Sequence, residues 1–288
     1  MEWLGLTIMC AVLLGISSIF EKRILKKEQV NEFLATYSLI FLVMMLPFAK
    51  YVNFDIPGKL LGIIIIKGFI LTIAGILSTK ALKKLEISTA MPLANLTPLF
   101  LLVLGTFFLG EILNASKIAG IVILVSGTYI LQMKNIGSFL HPFKKFSGRY
   151  ALYMVIATFI VAISAMIDKV LLAKIDFFTY LFLSMFMLFM FYTAIQFYKY
   201  RGFDDILHAL KVGGLWVFLI CALNLIADIF YFLAVSMPGA YISLIIPIKR
   251  LSTLFSTIVS GEIYHDHMLK NKIIACVLMV IGATLIIL

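Results

Sequence analysis

Ile16-Ser17-Ser18-Ile19-Phe20-Glu21-Lys22, near the end of the first apolar run, is answered by Ile163-Ser164-Ala165-Met166-Ile167-Asp168-Lys169 near the end of the sixth. The two stretches lie 147 residues apart, about half of the 288-residue chain. A second pair, Gly110-Glu111-Ile112 and Gly261-Glu262-Ile263, recurs at an offset of 151. Self-similarity at that period marks a duplicated unit. The small drift between the offsets is what an insertion in a connecting loop produces.

Around these markers the chain divides into ten apolar runs, at about 3–20, 33–49, 60–79, 87–110, 118–133, 150–167, 177–198, 212–235, 240–261 and 273–288. Runs of this length suit membrane-spanning helices of about 20 residues, whereas barrel strands are about 10 residues long and alternate polar with apolar. Ile63 to Ile66 and Phe186 to Phe191 do not alternate. The expected fold is an all-α membrane bundle of ten transmembrane helices in two five-helix repeats. Composition agrees: 63% of residues are hydrophobic and 13% charged, far from the roughly 45–50% and about 25% of a soluble domain. Ten spans leave no loop long enough for a separate globular domain. We place the first repeat at 1–133, a basic linker at 134–149 with Gly137, Pro142 and Gly148, and the second repeat at 150–288.

Five is an odd number, so the second copy must enter the membrane from the side opposite to the first. Inverted repeats create a pseudo-two-fold axis in the membrane plane and a site between the halves that rocking can expose to either side. Alternating-access transport is the function this predicts.

The net charge of +10 comes from basic residues lying mostly between the apolar runs, where they meet anionic headgroups. They form no stripe interleaved with aromatics, which argues against nucleic acid as a partner. Cys10, Cys221 and Cys276 each sit inside an apolar run and read as small hydrophobes, not as a disulfide frame or metal site. His141, His208, His265 and His267 lie in loops without a ligand set. No phosphate loop, nucleophile elbow or paired catalytic carboxylates are present, so neither ATP use nor enzymatic activity is expected, and no cofactor.

Ionisable side chains at membrane depth cost a few kcal/mol on insertion scales and usually face a cavity or a partner. The candidates are Lys67, Asp228, Lys249 and Arg250. Asn224, Asp228 and Tyr231 fall at i, i+4 and i+7, so they share one helical face. Lys249 and Arg250 point about 100° apart. Either Asp228 neutralises one of these cations as a structural pair, or the excess positive charge receives an anionic or zwitterionic ligand. Lys22 and Lys169 recur between the halves and are candidate gating residues. Glu111 and Glu262 read as structural acids at turns. Pro92, Pro98 and Pro247 lie at comparable places in the two halves, where helix-breaking prolines mark discontinuous helices around a substrate. Pro98 and Pro247 are therefore candidate hinges.

Ten spans in two copies, the Ser-rich segments ending in Lys22 and Lys169, and the Gly-Glu turns at 110–111 and 261–262 together resemble the EamA-like branch of the drug/metabolite transporter superfamily. That resemblance covers the whole chain. It implies export or exchange of small metabolites through a cavity lined by spans 1 to 4 and 6 to 9, with spans 5 and 10 peripheral. Lys249-Arg250 is also similar to the Lys-Arg pair by which sugar-phosphate and nucleotide-sugar translocators of the superfamily hold phosphate; their other signature segments are not recognised here. Expected partners are a small-molecule substrate, membrane lipids, a proton or Na⁺ as coupling ion, and a second copy in a homodimer. The expected location is the cell membrane, and the rival function is a lipid scramblase without directional solute transport.

Charge and resemblance disagree on orientation. Loops after odd-numbered spans carry 16 Lys and Arg, those after even-numbered spans 5. The positive-inside rule then places odd loops in the cytoplasm and both termini outside, whereas the resemblance implies cytoplasmic termini. The charge count is the reading adopted.

Overall fold

The computed structural model describes residues 2–25, 30–85, 93–132, 148–199, 203–253, 255–256 and 269–287, and among these it has helices and no strand. Among the described residues ten α-helices follow in order: α1 Glu2–Leu25, α2 Val30–Met45, α3 Gly58–Lys84, α4 Thr97–Leu109, α5 Ala115–Gln132, α6 Arg149–Leu172, α7 Phe177–Lys199, α8 Phe203–Ser236, which is kinked at Gly214 (φ 43°, non-helical), α9 Ile242–Lys249 and α10 Leu269–Ile287. A short 3-10 turn, Leu46–Tyr51, follows α2. Six helices, α1, α2 (extended through that turn), α3, α6, α7 and α8, contain stretches long and apolar enough to cross a membrane. The basic linker falls almost entirely outside the described residues.

Two of the apolar runs differ from the uninterrupted helices their length suggests. The run at 87–110 contains a helical turn at 93–94, a non-helical turn at 95–96, and then α4. The run at 240–261 contains α9, a break at 250–251, and helix again at 252–253. Proline explains the first. Pro98 has no N–H to give the Ala94 carbonyl, so the helix cannot be continuous there, and the residue instead occupies the first turn of α4, where no donor is needed. Pro247 lies inside α9, three residues before the second break. Pro92 is outside the described residues.

Neighbours in space are not neighbours in sequence. The most extensive contacts are α5 with α10, α1 with α8, α3 with α6 and α2 with α7, each joining one helix of the first half to one of the second. The pattern is nearly unchanged when each helix is replaced by its counterpart five places along, so that α1 with α8 becomes α6 with α3 and α1 with α9 becomes α6 with α4. The α5–α10 pair owes its closeness to glycine: a Cβ on Gly282 would lie 2.5 Å from the Leu124 backbone nitrogen, and one on Gly120 would lie 2.8 Å from the Gly282 carbonyl oxygen. Small residues that let backbones approach drive helix association in lipid. Gly282→Val is expected to cost about 1–3 kcal/mol through overpacking, read as a lowered melting temperature of the purified protein; an unchanged melting temperature would refute the tight pairing.

Large apolar side chains such as Phe107 and Phe108 are exposed on the outside of the bundle, as expected where the surrounding solvent is hydrocarbon. Charged groups lie inside instead, among them Lys67, Glu111 and Asp168, each 4–5% exposed. This inversion of the usual soluble pattern directs attention to the interior.

Candidate functional site

Five helices supply the walls of a partly open cavity of about 200 Å³. α3 contributes Lys67 and Leu71, α6 Val161, Ser164 and Asp168, α7 Ser184 and Leu188, α8 Asp228 and Tyr231, and α9 Ile246 and Lys249. The α6 residues Val161, Ser164, Ala165 and Asp168 follow i, i+3, i+4, i+7 spacing, so one helical stripe faces the cavity. Leu71, Val161 and Leu188 make the rest of the wall apolar, where a charged group has little water to compete with.

The cavity's strongest contact is an ion pair between the halves. Lys67 Nζ lies 2.5 Å from Asp168 Oδ1 and donates to the Tyr180 hydroxyl at 2.7 Å. That hydroxyl donates in turn to Asp168 Oδ1, and the Tyr231 hydroxyl donates to Oδ2 at 3.2 Å. Three donors therefore satisfy one buried carboxylate, the condition under which a buried charge is tolerated. Lys67 also lies 4.9 Å from the centroid of the Tyr180 ring and 5.8 Å from that of Phe232.

Lys249 reaches the same cluster from α9, with Nζ 3.8 Å from the centre of the Tyr231 ring, a cation–π contact. Asp228 lines the cavity but makes no hydrogen bond or ion pair among the described residues. Asn224, one turn earlier on α8, is half-buried and not among the lining residues.

Arg250 is placed elsewhere. Its Nη2 donates to Thr97 Oγ1 at 3.0 Å and to the Ala94 carbonyl at 3.4 Å, the same carbonyl to which the Thr97 hydroxyl donates at 3.2 Å. This is the acceptor orphaned by Pro98, so the guanidinium at the break in one half satisfies the backbone at the break in the other. The two cations adjacent in sequence thus divide: Lys249 lines the cavity and Arg250 holds α4. This alters the charge balance expected from sequence, because Arg250 leaves the lining and Asp168 joins it. Two ammonium groups face two carboxylates.

Asp168 and Tyr180 are the site residues that sequence reading missed. From the repeated segment the sequence reading takes only Lys169 as a candidate, yet the register of Asp168 with Ser164 and Ala165 on a small-residue face was the available signal. Tyr180 offered none, since its role depends on how α7 packs against α3. Lys169 Nζ donates to the Val235 carbonyl near the end of α8 at 2.6 Å and to the Met237 carbonyl just beyond it at 3.2 Å, a cap of its own half. The Lys22 side chain lies outside the described residues. Glu111, read as structural, accepts the Ile242 N–H at 2.6 Å, the Ser243 N–H at 3.2 Å and the Ser243 hydroxyl, so the acid that ends α4 caps the first turn of α9. No group of three His, Cys, Asp or Glu is placed to hold a metal among the described residues.

A helical bundle with an apolar exterior, six helices long and apolar enough to cross a membrane, and a partly open pocket bearing charged groups belongs to the class of multi-pass membrane proteins. Within it, this chain belongs to the EamA-like transporter family, whose sequence profile matches residues 1–133 and again 148–288. The two matches make the chain a tandem of two EamA repeats and a membrane transporter of the drug/metabolite type. No curated protein matches it by sequence. A solved structure titled only as the crystal structure of a protein is similar over 98% of this chain and 95% of its own, with a TM-score of 0.75 at 15% identity, a likeness of fold.

Proposed function

We propose that the protein is a secondary transporter that exports or exchanges a small polar metabolite by alternating access, without ATP. The observation that carries this is the cavity, walled by apolar side chains and holding Lys67, Asp168, Asp228 and Lys249. At about 200 Å³ it is smaller than the roughly 300–1,000 Å³ of sites for drug-sized ligands, which suits a small metabolite. Lys67 and Asp168 satisfy each other, leaving Asp228 and Lys249 to meet a solute. One acid and one ammonium favour a zwitterion over the simple anion that the Lys-Arg pair suggested.

Ten spans in two inverted repeats, 1–133 and 150–288 about the linker 134–149, is the topology we adopt, supported by the exchange of contact partners between the halves. Asp228 is our candidate proton-coupling group, with Na⁺ as the other candidate ion, and the cell membrane is the proposed location. At the level of the cavity α3 and α7 pack closely, since a Cβ on Gly68 would lie 2.7 Å from Met187 Cβ, and the clefts that both helices line on either side of this contact are apolar, with no charged side chain for a lipid headgroup. Purified protein in liposomes is expected to move a zwitterionic or carboxylated metabolite down its gradient without ATP. Scrambling of fluorescent lipid with no flux of any screened solute would overturn the reading.

Both termini are placed outside and the linker inside, on the charge count. A cysteine introduced between 134 and 149 is therefore expected to resist an impermeant thiol reagent on intact cells; labelling would reverse the orientation.

A further inference from the structure

Cross-half polar ties lie toward both ends of the bundle. Arg250 with Thr97 and Ala94, and the Thr158 hydroxyl on the Leu93 carbonyl, lie toward the linker. A larger group, which includes the ion pair, lies at the opposite end. The connections at 46–57, 110–114, 173–176 and 237–241 all lie at this end, because consecutive helices run in opposite directions between them. Lys67 is in the first half of α3, Asp168 four residues from the end of α6, Tyr180 at the start of α7 and Tyr231 five residues from the end of α8. The Glu111 cap on Ile242 and Ser243 is here, as is the bond from the Asn53 N–H to Thr179 Oγ1 at 2.8 Å. The residues Leu71, Val161 and Leu188 lie further from this end along their helices, toward the end that bears the linker.

We propose that the Lys67–Asp168 ion pair, with the hydroxyls of Tyr180 and Tyr231, is the gate that shuts the cavity at this end, and that Tyr231 couples it to the solute site. The pair qualifies because it joins the halves and so must part when one rocks on the other. Tyr231 qualifies because its two faces of chemistry are committed to different partners: the hydroxyl holds Asp168, and the ring holds Lys249. A solute group that draws the Lys249 ammonium off the ring frees the ring to turn, and turning withdraws the hydroxyl from Asp168. Occupancy of the site thereby weakens the closure beside it. The solute step rests on the transport reading; the gate itself does not.

The test uses the full chain with Cys10, Cys221 and Cys276 replaced by alanine and a reporter, Val161→Cys, in the cavity wall. An impermeant maleimide is added to intact cells and to inverted vesicles, each exposing one side. The parent is expected to label from the linker side alone. Tyr231→Phe, which keeps the ring and loses the hydroxyl, and Asp168→Asn are each expected to raise labelling from the opposite side about fivefold, the effect of one lost hydrogen bond. Lys249→Gln is expected to raise it as well while leaving the ion pair in place. Should Asp168→Asn fail to fold, Tyr180→Phe tests the same closure. Opposite-side labelling unchanged in the tyrosine and aspartate variants, or equal from both sides in the parent, overturns the gate; no effect of Lys249→Gln overturns the coupling. Labelling that shifts as expected in a protein that moves no solute upholds the gate and overturns the transport reading.

Discussion

Asp168→Ala is expected to lower the unfolding free energy by about 3–5 kcal/mol, the loss found when one member of a buried ion pair is removed. The substitution leaves the Lys67 ammonium, 4% exposed, without its counter-charge, and it takes the acceptor from both the Tyr180 and Tyr231 hydroxyls. Membrane depth adds to the penalty, because an unpaired charge there has little water to turn to. Asp168→Asn should cost less, since the amide oxygen still accepts from Lys67. The double variant Lys67→Met with Asp168→Leu should recover most of the loss, as buried pairs are often replaceable by apolar residues of similar volume. Melting of the purified protein in detergent decides it: a loss below about 1 kcal/mol for the alanine variant would mean that the pair is solvated and is not the buried anchor described.

Lys249→Ala and Arg250→Ala are expected to fail in opposite ways although the residues are adjacent. Lys249 borders the cavity over the Tyr231 ring, so its loss should weaken solute binding more than tenfold, about 1.4 kcal/mol, with little change in melting temperature. Arg250 satisfies the Ala94 carbonyl and Thr97 hydroxyl at the break before α4. Its loss should lower stability by about 1.5–3 kcal/mol, the contribution of a hydrogen bond from a charged donor, with the Thr97 hydroxyl still serving the Ala94 carbonyl and affinity changed less than by Lys249→Ala. If both lose affinity together, the guanidinium is a solute ligand, as in the phosphate-holding Lys-Arg pair. Melting temperature and ligand affinity measured on the same two proteins separate the cases.

The helical class, the tandem repeat and the interior position of Lys67, Asp228 and Lys249 were legible in sequence because each follows from a local rule: run length, recurrence and the cost of charge in lipid. The breaks were partly legible, since Pro98 and Pro247 mark them. What completes the site depends on partners brought from other helices. That Asp168 pairs with Lys67, 101 residues away, is a matter of how α6 packs on α3, and no spacing within either helix announces it. Arg250 shows the same limit from the other direction. Its place beside Lys249 was plain, but an angular step of about 100° on a helix sends two neighbours to different tasks, and only the packed structure says which is which.

The exchange of partners between the halves has a consequence for biosynthesis. When the first 133 residues have left the ribosome, α1, α2, α3 and α5 are made, and the helices with which they make their most extensive contacts are still unwritten. The first half must therefore wait in the bilayer as separately inserted helices, shielded by lipid or by the insertion machinery, until α6 to α10 arrive. Two half-chains supplied as separate polypeptides should find one another for the same reason, and neither alone should resist proteolysis.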